Sequence, residues 1–221
     1  MTRLPKTSPV LIAVAVVACA STAGQGYGSQ TGAPVSGSSA VSAVGGSAEL
    51  HQAMRKLWSD HVVWTRQYIV SAILVDPSAN AASARLLKNQ EDLGNAIAPY
   101  YGSAAGAKLT DLLKQHILIA VDLVSAAKAG DKAKQTDADT RWHKNAADIA
   151  SFLSGANPNW SRQALLDMLN QHLSLTTQEA VNRLQQKWDD DVRSFDAVFS
   201  QAMMMADALS DCIVKQFPAQ F

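Results

Sequence analysis

The chain has 221 residues, 48% of them hydrophobic and 6% aromatic, with 19 basic and 19 acidic side chains. That length supports one well-buried domain, and the balanced charge argues against a nucleic-acid or anionic-membrane surface. Cys19 and Cys212 are the only cysteines, so once Cys19 is modified no disulfide framework remains.

Arg3 and Lys6 make a basic n-region, and Val10 to Ala18 an apolar h-region of nine residues. A helix needs roughly 20 to cross a bilayer, so the segment reads as a signal peptide. Val16-Val17-Ala18-Cys19 resembles the bacterial lipobox, in which small residues precede a cysteine that is acylated and becomes the mature N-terminus. Cleavage after Ala18-Cys19-Ala20, an A-x-A pattern, is the alternative. Residues 1–19 are expected to be signal and lipobox, with Cys19 lipidated and the protein exported, held to a lipid membrane of the cell envelope.

Residues 20–47 hold seven of the twelve glycines, many serines and no periodic apolar pattern. Such a segment cannot bury enough surface to order itself and should act as a tether of about 30 Å reach. From residue 48 to 221 apolar residues recur at helical spacing. The expected fold is all-α, an antiparallel bundle of six helices.

The first helix should run from about Ser47 to Val75, before Asp76-Pro77. The second should cover about Ala79 to Ala98, stopped by Pro99. The third runs from about Ala104 to Ala129, with Gly130 as C-cap. Asp131 is a suitable N-cap for the fourth, which ends near Ser154-Gly155. Ser161 caps the fifth, to about Lys187. The sixth runs from about Asp189 to Phe217, with Asp189, Asp190 and Asp191 favourable at its N-terminus and Pro218 beyond its end.

An internal duplication is written into the second to fifth helices. Arg85, Lys88, Asn89 and Asp92 recur as Arg141, Lys144, Asn145 and Asp148. Leu109, Asp111, Leu113, Gln115 and His116 recur as Leu165, Asp167, Leu169, Gln171 and His172, every pair 56 residues apart. Two copies of one helical hairpin follow, over about 79–129 and 135–187.

In an antiparallel hairpin, residues equidistant from the turn share one level. Asn89 and His116 straddle the Gly102 turn, Asn145 and His172 the Asn157-Pro158-Asn159 turn, His116 and Asn145 Gly130, and His61 and Asp92 Asp76-Pro77. The expectation is one polar cross-section made of His61, Asn89, Asp92, His116, Asn145, Asp148 and His172. Three readings stay open for it, one being that some of these residues simply face water. Imidazoles and carboxylates converging in a bundle can hold a transition metal or small ligand. Equally, each His can pair with Asn or Asp in a buried hydrogen-bond network that sets helix register. Glu-x-x-His, His-x-x-x-His and His-Glu-x-x-His are missing from the sequence, which weighs toward the network.

The remaining features read as structural. His51 and His143 are expected at the surface and Cys212 in the core. Trp58, Trp64, Trp142, Trp160 and Trp188 are expected as core and loop anchors, and Met203-Met204-Met205 as core filler, because consecutive methionines do not share a helix face. No Gly-rich phosphate loop, G-x-S-x-G elbow or Cys-x-x-Cys occurs, and no catalytic residue is assigned.

The segments HVVWTRQYI, RLLKNQEDLGNAIAPYYG, LVSAAKAGD, FLSGANPNW, HLSLTTQEA and MADALSDCIVKQFP resemble a family of small bacterial helical proteins of Bacillus and Burkholderia type. The resemblance covers about residues 50–221 and departs at Cys212, where the family pattern has Gly, and in the export segment. It implies a helical domain and carries over no activity. Names such as glycosyltransferase or acetylglutamate kinase, borne by some members, imply an α/β nucleotide fold at odds with this helical pattern. Together the readings point to a membrane-tethered extracytoplasmic module with a structural or interaction role and a protein partner not identifiable from sequence. A metal- or small-ligand-binding protein, up to a metalloenzyme, is the alternative.

Overall fold

A computed structural model describes the backbone from Ser39 and the side chains from Gly46, to Phe221. The expected signal peptide, Cys19 and residues 20–38 of the expected tether lie outside the described residues. Six helices follow: α1 (Ser39–Leu74), α2 (Ala79–Tyr101), α3 (Ser103–Ala129), α4 (Lys132–Ala156), α5 (Arg162–Leu184) and α6 (Trp188–Gln216), then a short 3₁₀ turn (Pro218–Gln220). Each packs on the helix before and after it, and α6 returns to α1, closing a ring. Inside it α1 also meets α3 and α5.

Local chemistry sets most boundaries as expected. Gly130 ends α3 in the left-handed region at φ 71°, where a glycine carries no Cβ penalty. Asp131 then caps α4, its side chain accepting from the Lys134 amide at 3.1 Å. Ser161 caps α5 through the Ala164 amide. Ser39–Leu74 starts ahead of the expected Ser47, so residues 39–47, assigned to the tether, are helical. Gly45-Gly46 misled that boundary, since glycine costs a helix about 1 kcal/mol against alanine. Tertiary packing offsets it: a Cβ on Gly46 would sit 3.5 Å from Phe221. In α2 the helix continues through Pro99 to Tyr101 and forfeits only the one bond that the proline, lacking an N–H, cannot make.

One core fills the ring, from Leu50 and Met54 near its upper end to Val62 and Leu173 lower down. A smaller cluster of Tyr68, Ile69, Ala82, Val124 and Ala180 closes the lower end. Among the described residues α6 alone is long and apolar enough to cross a membrane. Here its apolar side, with Val198, Ala202, Met205, Leu209 and Ile213, is core. At the upper end buried Asn157 donates to the Tyr101 hydroxyl and the Cys212 carbonyl, both at 2.9 Å. That pins the loop before Trp160 and buries Cys212, as expected of it.

Candidate functional site

Five of the seven residues expected in the polar layer are interior: His61, Asn89, His116, Asn145 and His172. They come from five helices, α1 to α5. The His61 and His172 rings lie 5.6 Å apart, and the Trp58 ring touches both, at 5.5 and 6.5 Å. His116 packs at 5.2 Å on Trp142.

The two carboxylates do not join them. Asp92 and Asp148 turn outward, where Lys88 holds Asp92 at 2.9 Å and Lys144 holds Asp148 at 2.8 Å, both across one helical turn. The reason is helical phase. Three residues beyond Asn89 or Asn145, the chain has rotated about 300°, enough to swing a carboxylate from the core to the flank where a lysine four residues earlier reaches it.

Inside, the pattern is an imidazole bonded to a carboxamide on the next helix. His116 Nδ1 donates to Asn145 Oδ1 at 2.8 Å, while Asn145 Nδ2 donates to the Leu112 carbonyl at 3.0 Å. His172 Nδ1 donates to Gln201 Oε1 at 3.0 Å, while Gln201 Nε2 donates to the Met168 carbonyl at 3.0 Å. In both, the amide also reaches the carbonyl four residues before the histidine. That second bond orients the amide and so places the ring proton on Nδ1 and the lone pair on Nε2.

The α1–α2 pair repeats this arrangement with one change. Asn89 Nδ2 donates to the Leu57 carbonyl at 3.0 Å, again four residues before a histidine. Its Oδ1, however, accepts from Gln90 Nε2 at 3.1 Å, and Gln90 Nε2 faces His61 Nδ1 at 3.3 Å. Gln90 Nε2 also donates to the Leu86 carbonyl at 2.8 Å, so its two hydrogens go to Leu86 and Asn89 and His61 lacks the full imidazole–amide bond of the other two pairs. The sequence duplication accordingly has a third member. His116 and His172 sit 29 residues before Asn145 and Gln201, and Asn89, 56 residues before Asn145, takes the matching place 28 residues after His61. The imidazole–amide pairing runs within α1–α2, α3–α4 and α5–α6, while the hairpins expected from sequence, α2–α3 and α4–α5, also pack as neighbours.

Burial makes these imidazoles poor bases. Desolvation pushes His116 down to about 3, with Asn145 opposing and His172 adding to the effect. His61 is lowered by desolvation and then by the charges of His172 and His116, and His172 by desolvation against its Gln201 bond. All three are neutral near pH 7. Gln90 Oε1 and Thr176 Oγ1 are buried beside this layer and have no hydrogen-bond partner among the described residues. Nor, among those residues, do three or more His, Cys, Asp or Glu side chains come together so as to hold a metal ion.

No family model, curated protein or solved structure matches this chain.

A second buried polar group has no sequence precedent. Arg66 from α1 donates to Glu179 Oε1 at 2.9 Å and to both oxygens of Asp191, the second at 2.8 Å. Arg183 reaches Asp191 from α5 at 3.2 Å. Glu179 and Asp191 are each 1% exposed. Desolvation drives Glu179 up to about 7, against its bond to Arg66. Asp191 thus does more than favour the start of α6; it ties α6 to α1 and α5. Glu179 follows His172 and Thr176 on the inward stripe of α5, a spacing that gives its burial, though not its partners, a signal in the sequence.

The other expectations divide. Trp58, Trp142 and Trp160 are core, whereas Trp188 is exposed under the Arg183 guanidinium at 4.9 Å. Trp64 is half-buried with Arg85 over its ring. Met205 is buried and Met204 exposed. His143 is exposed, and half-buried His51 bonds to Asp211 at 2.8 Å.

Proposed function

We propose that the chain is a non-enzymatic helical module of the cell envelope, held at a membrane through an acylated Cys19, with a structural or interaction role toward a protein partner. The observation that supports it is the destination of the interior polar groups. His116 and His172 spend Nδ1 on side-chain amides, and those amides spend their second bond on backbone carbonyls. Such pairing fixes which helix faces which and the register between them. The export signal and lipobox supply the anchor. In cells, Cys19→Ala is expected to move the protein from the membrane to the soluble fraction; membrane association that survives the substitution counts against the reading.

One observation favours a metal-binding alternative. Asn145 and Gln201 hold His116 and His172 in the tautomer that leaves the lone pair on Nε2, as outer partners do for metal-ligating imidazoles. Elemental analysis of protein purified without a His tag separates the two. Stoichiometric metal, lost in His116→Ala and His172→Ala, supports the alternative. Metal-free protein whose variants only unfold more readily supports the module.

A further inference from the structure

Above the histidine layer, on the axis of the ring, lies an apolar chamber of about 40 Å³. Its wall repeats with the three units. Met54, Leu109 and Leu165 form one tier and Trp58, Leu113 and Leu169 the tier below it, all on α1, α3 and α5. Leu93, Ile149 and Met205, then Ile97, Leu153 and Leu209, supply the matching tiers of α2, α4 and α6. No polar atom faces the space.

The chamber follows from the architecture. Helices in contact lie about 8–10 Å apart, and six of them in a closed ring surround a space that α1 narrows, by also meeting α3 and α5, but does not close. Side chains of leucine size, arriving from equivalent positions, abut around the axis before they fill it. The void exceeds the volume one water needs, but a water wants two to four polar partners and this wall offers none. Apolar chambers of this kind stay dry, and their lining lacks dispersion contacts on the inner side. A nonpolar solute enters without displacing bound water.

We infer that this chamber is a binding site for a small uncharged apolar molecule of one to a few heavy atoms, on the scale of xenon or a diatomic gas. The inference is independent of the anchoring and metal readings, because it uses only the tiers above the histidines. Trp58 and Trp160 line the space and serve as reporters.

Xenon is the probe. In the full chain, a xenon-129 chemical shift that saturates with protein concentration is expected, together with saturable quenching of tryptophan fluorescence. Leu113→Phe, which fills the chamber, should weaken xenon binding at least tenfold, and Leu113→Ala should strengthen it and admit benzene. Ile149→Phe fills from the opposite wall and serves if Leu113→Phe does not fold. A shift that grows only linearly, as in urea-unfolded protein, overturns the inference, as does affinity unchanged in a folded filling variant.

Discussion

His116 Nδ1 and Asn145 Oδ1 meet at 2.8 Å across α3 and α4, and one 56-residue repeat later His172 and Gln201 meet in the same way at 3.0 Å. Gln201 replaces asparagine with a side chain one methylene longer, yet its amide still reaches the carbonyl four residues before the histidine, on Met168. The bond pair is thus a property of the helix spacing rather than of one residue type.

Removing both partners should cost less than the sum of removing each. Asn145→Ala leaves His116 Nδ1 buried without a partner, while the Leu112 carbonyl keeps its bond within α3, and such an orphaned group costs about 1–3 kcal/mol. Urea unfolding should show Asn145→Leu and His116→Leu each destabilising by a few kcal/mol. The double variant should be more stable than the sum of the singles predicts, by at least about 1 kcal/mol. Strict additivity would mean that the pair is not energetically coupled.

Acid should unfold the domain from the inside. An ordinary histidine titrates near 6.5, whereas these three have folded values below that, His116 near 3. Between the folded and unfolded values the unfolded chain binds more protons, so stability is complete above about pH 6.5 and falls as pH is lowered. Each histidine contributes a slope of about 1.4 kcal/mol per pH unit within its window. His116→Leu should flatten the fall measured by urea titrations between pH 6.5 and 4.

Glu179 acts in the opposite direction. Its folded value of about 7 lies above the usual 4.5, so the folded chain binds the extra proton and stability falls as pH rises through that interval. Glu179→Gln should therefore gain on the wild type by about 3 kcal/mol between pH 4.5 and 7.5, as a shift of that size converts. A difference in unfolding free energy that stays constant with pH would contradict the assigned environment.

Arg66 neutralises two carboxylates at once, so its loss should be among the costliest changes. Arg66→Met leaves Glu179 and Asp191 buried without their shared cation, a loss of about 3–5 kcal/mol at pH 7. The deficit should shrink at pH 5, where Glu179 is protonated. Chemical denaturation at the two pH values provides the comparison.

Gly94 and Gly106 let α2 and α3 approach closely. A Cβ on Gly94 would stand 2.0 Å from Thr110 Oγ1 and 2.5 Å from the Gly106 carbonyl, and one on Gly106 2.6 Å from the Gly94 carbonyl. The backbone oxygens cannot rotate away, so Gly94→Ala should lower stability by about 1–3 kcal/mol despite its better helix propensity. Gly155→Ala has open space and should be neutral or stabilising. Thermal melts of the two variants make the contrast.

The sequence by itself determined the six helices, most of their ends and the interior placement of His61, Asn89, His116, Asn145 and His172. Apolar periodicity, Gly130, Asp131, Ser161 and the 56-residue offset are all local or one-dimensional signals, and turn midpoints convert them into levels. The outward turn of Asp92 and Asp148 was legible too, in the lysines four residues before them, but a shared level says nothing of facing. Closure of α6 on α1 was decided by tertiary structure alone. So were the third copy, masked by Gln201 for asparagine and Trp58 for leucine, and the Arg66–Glu179–Asp191 cluster. Burial by neighbours distant in sequence sets which amide finds which imidazole and how far each ionisable group shifts, and no local pattern encodes that environment.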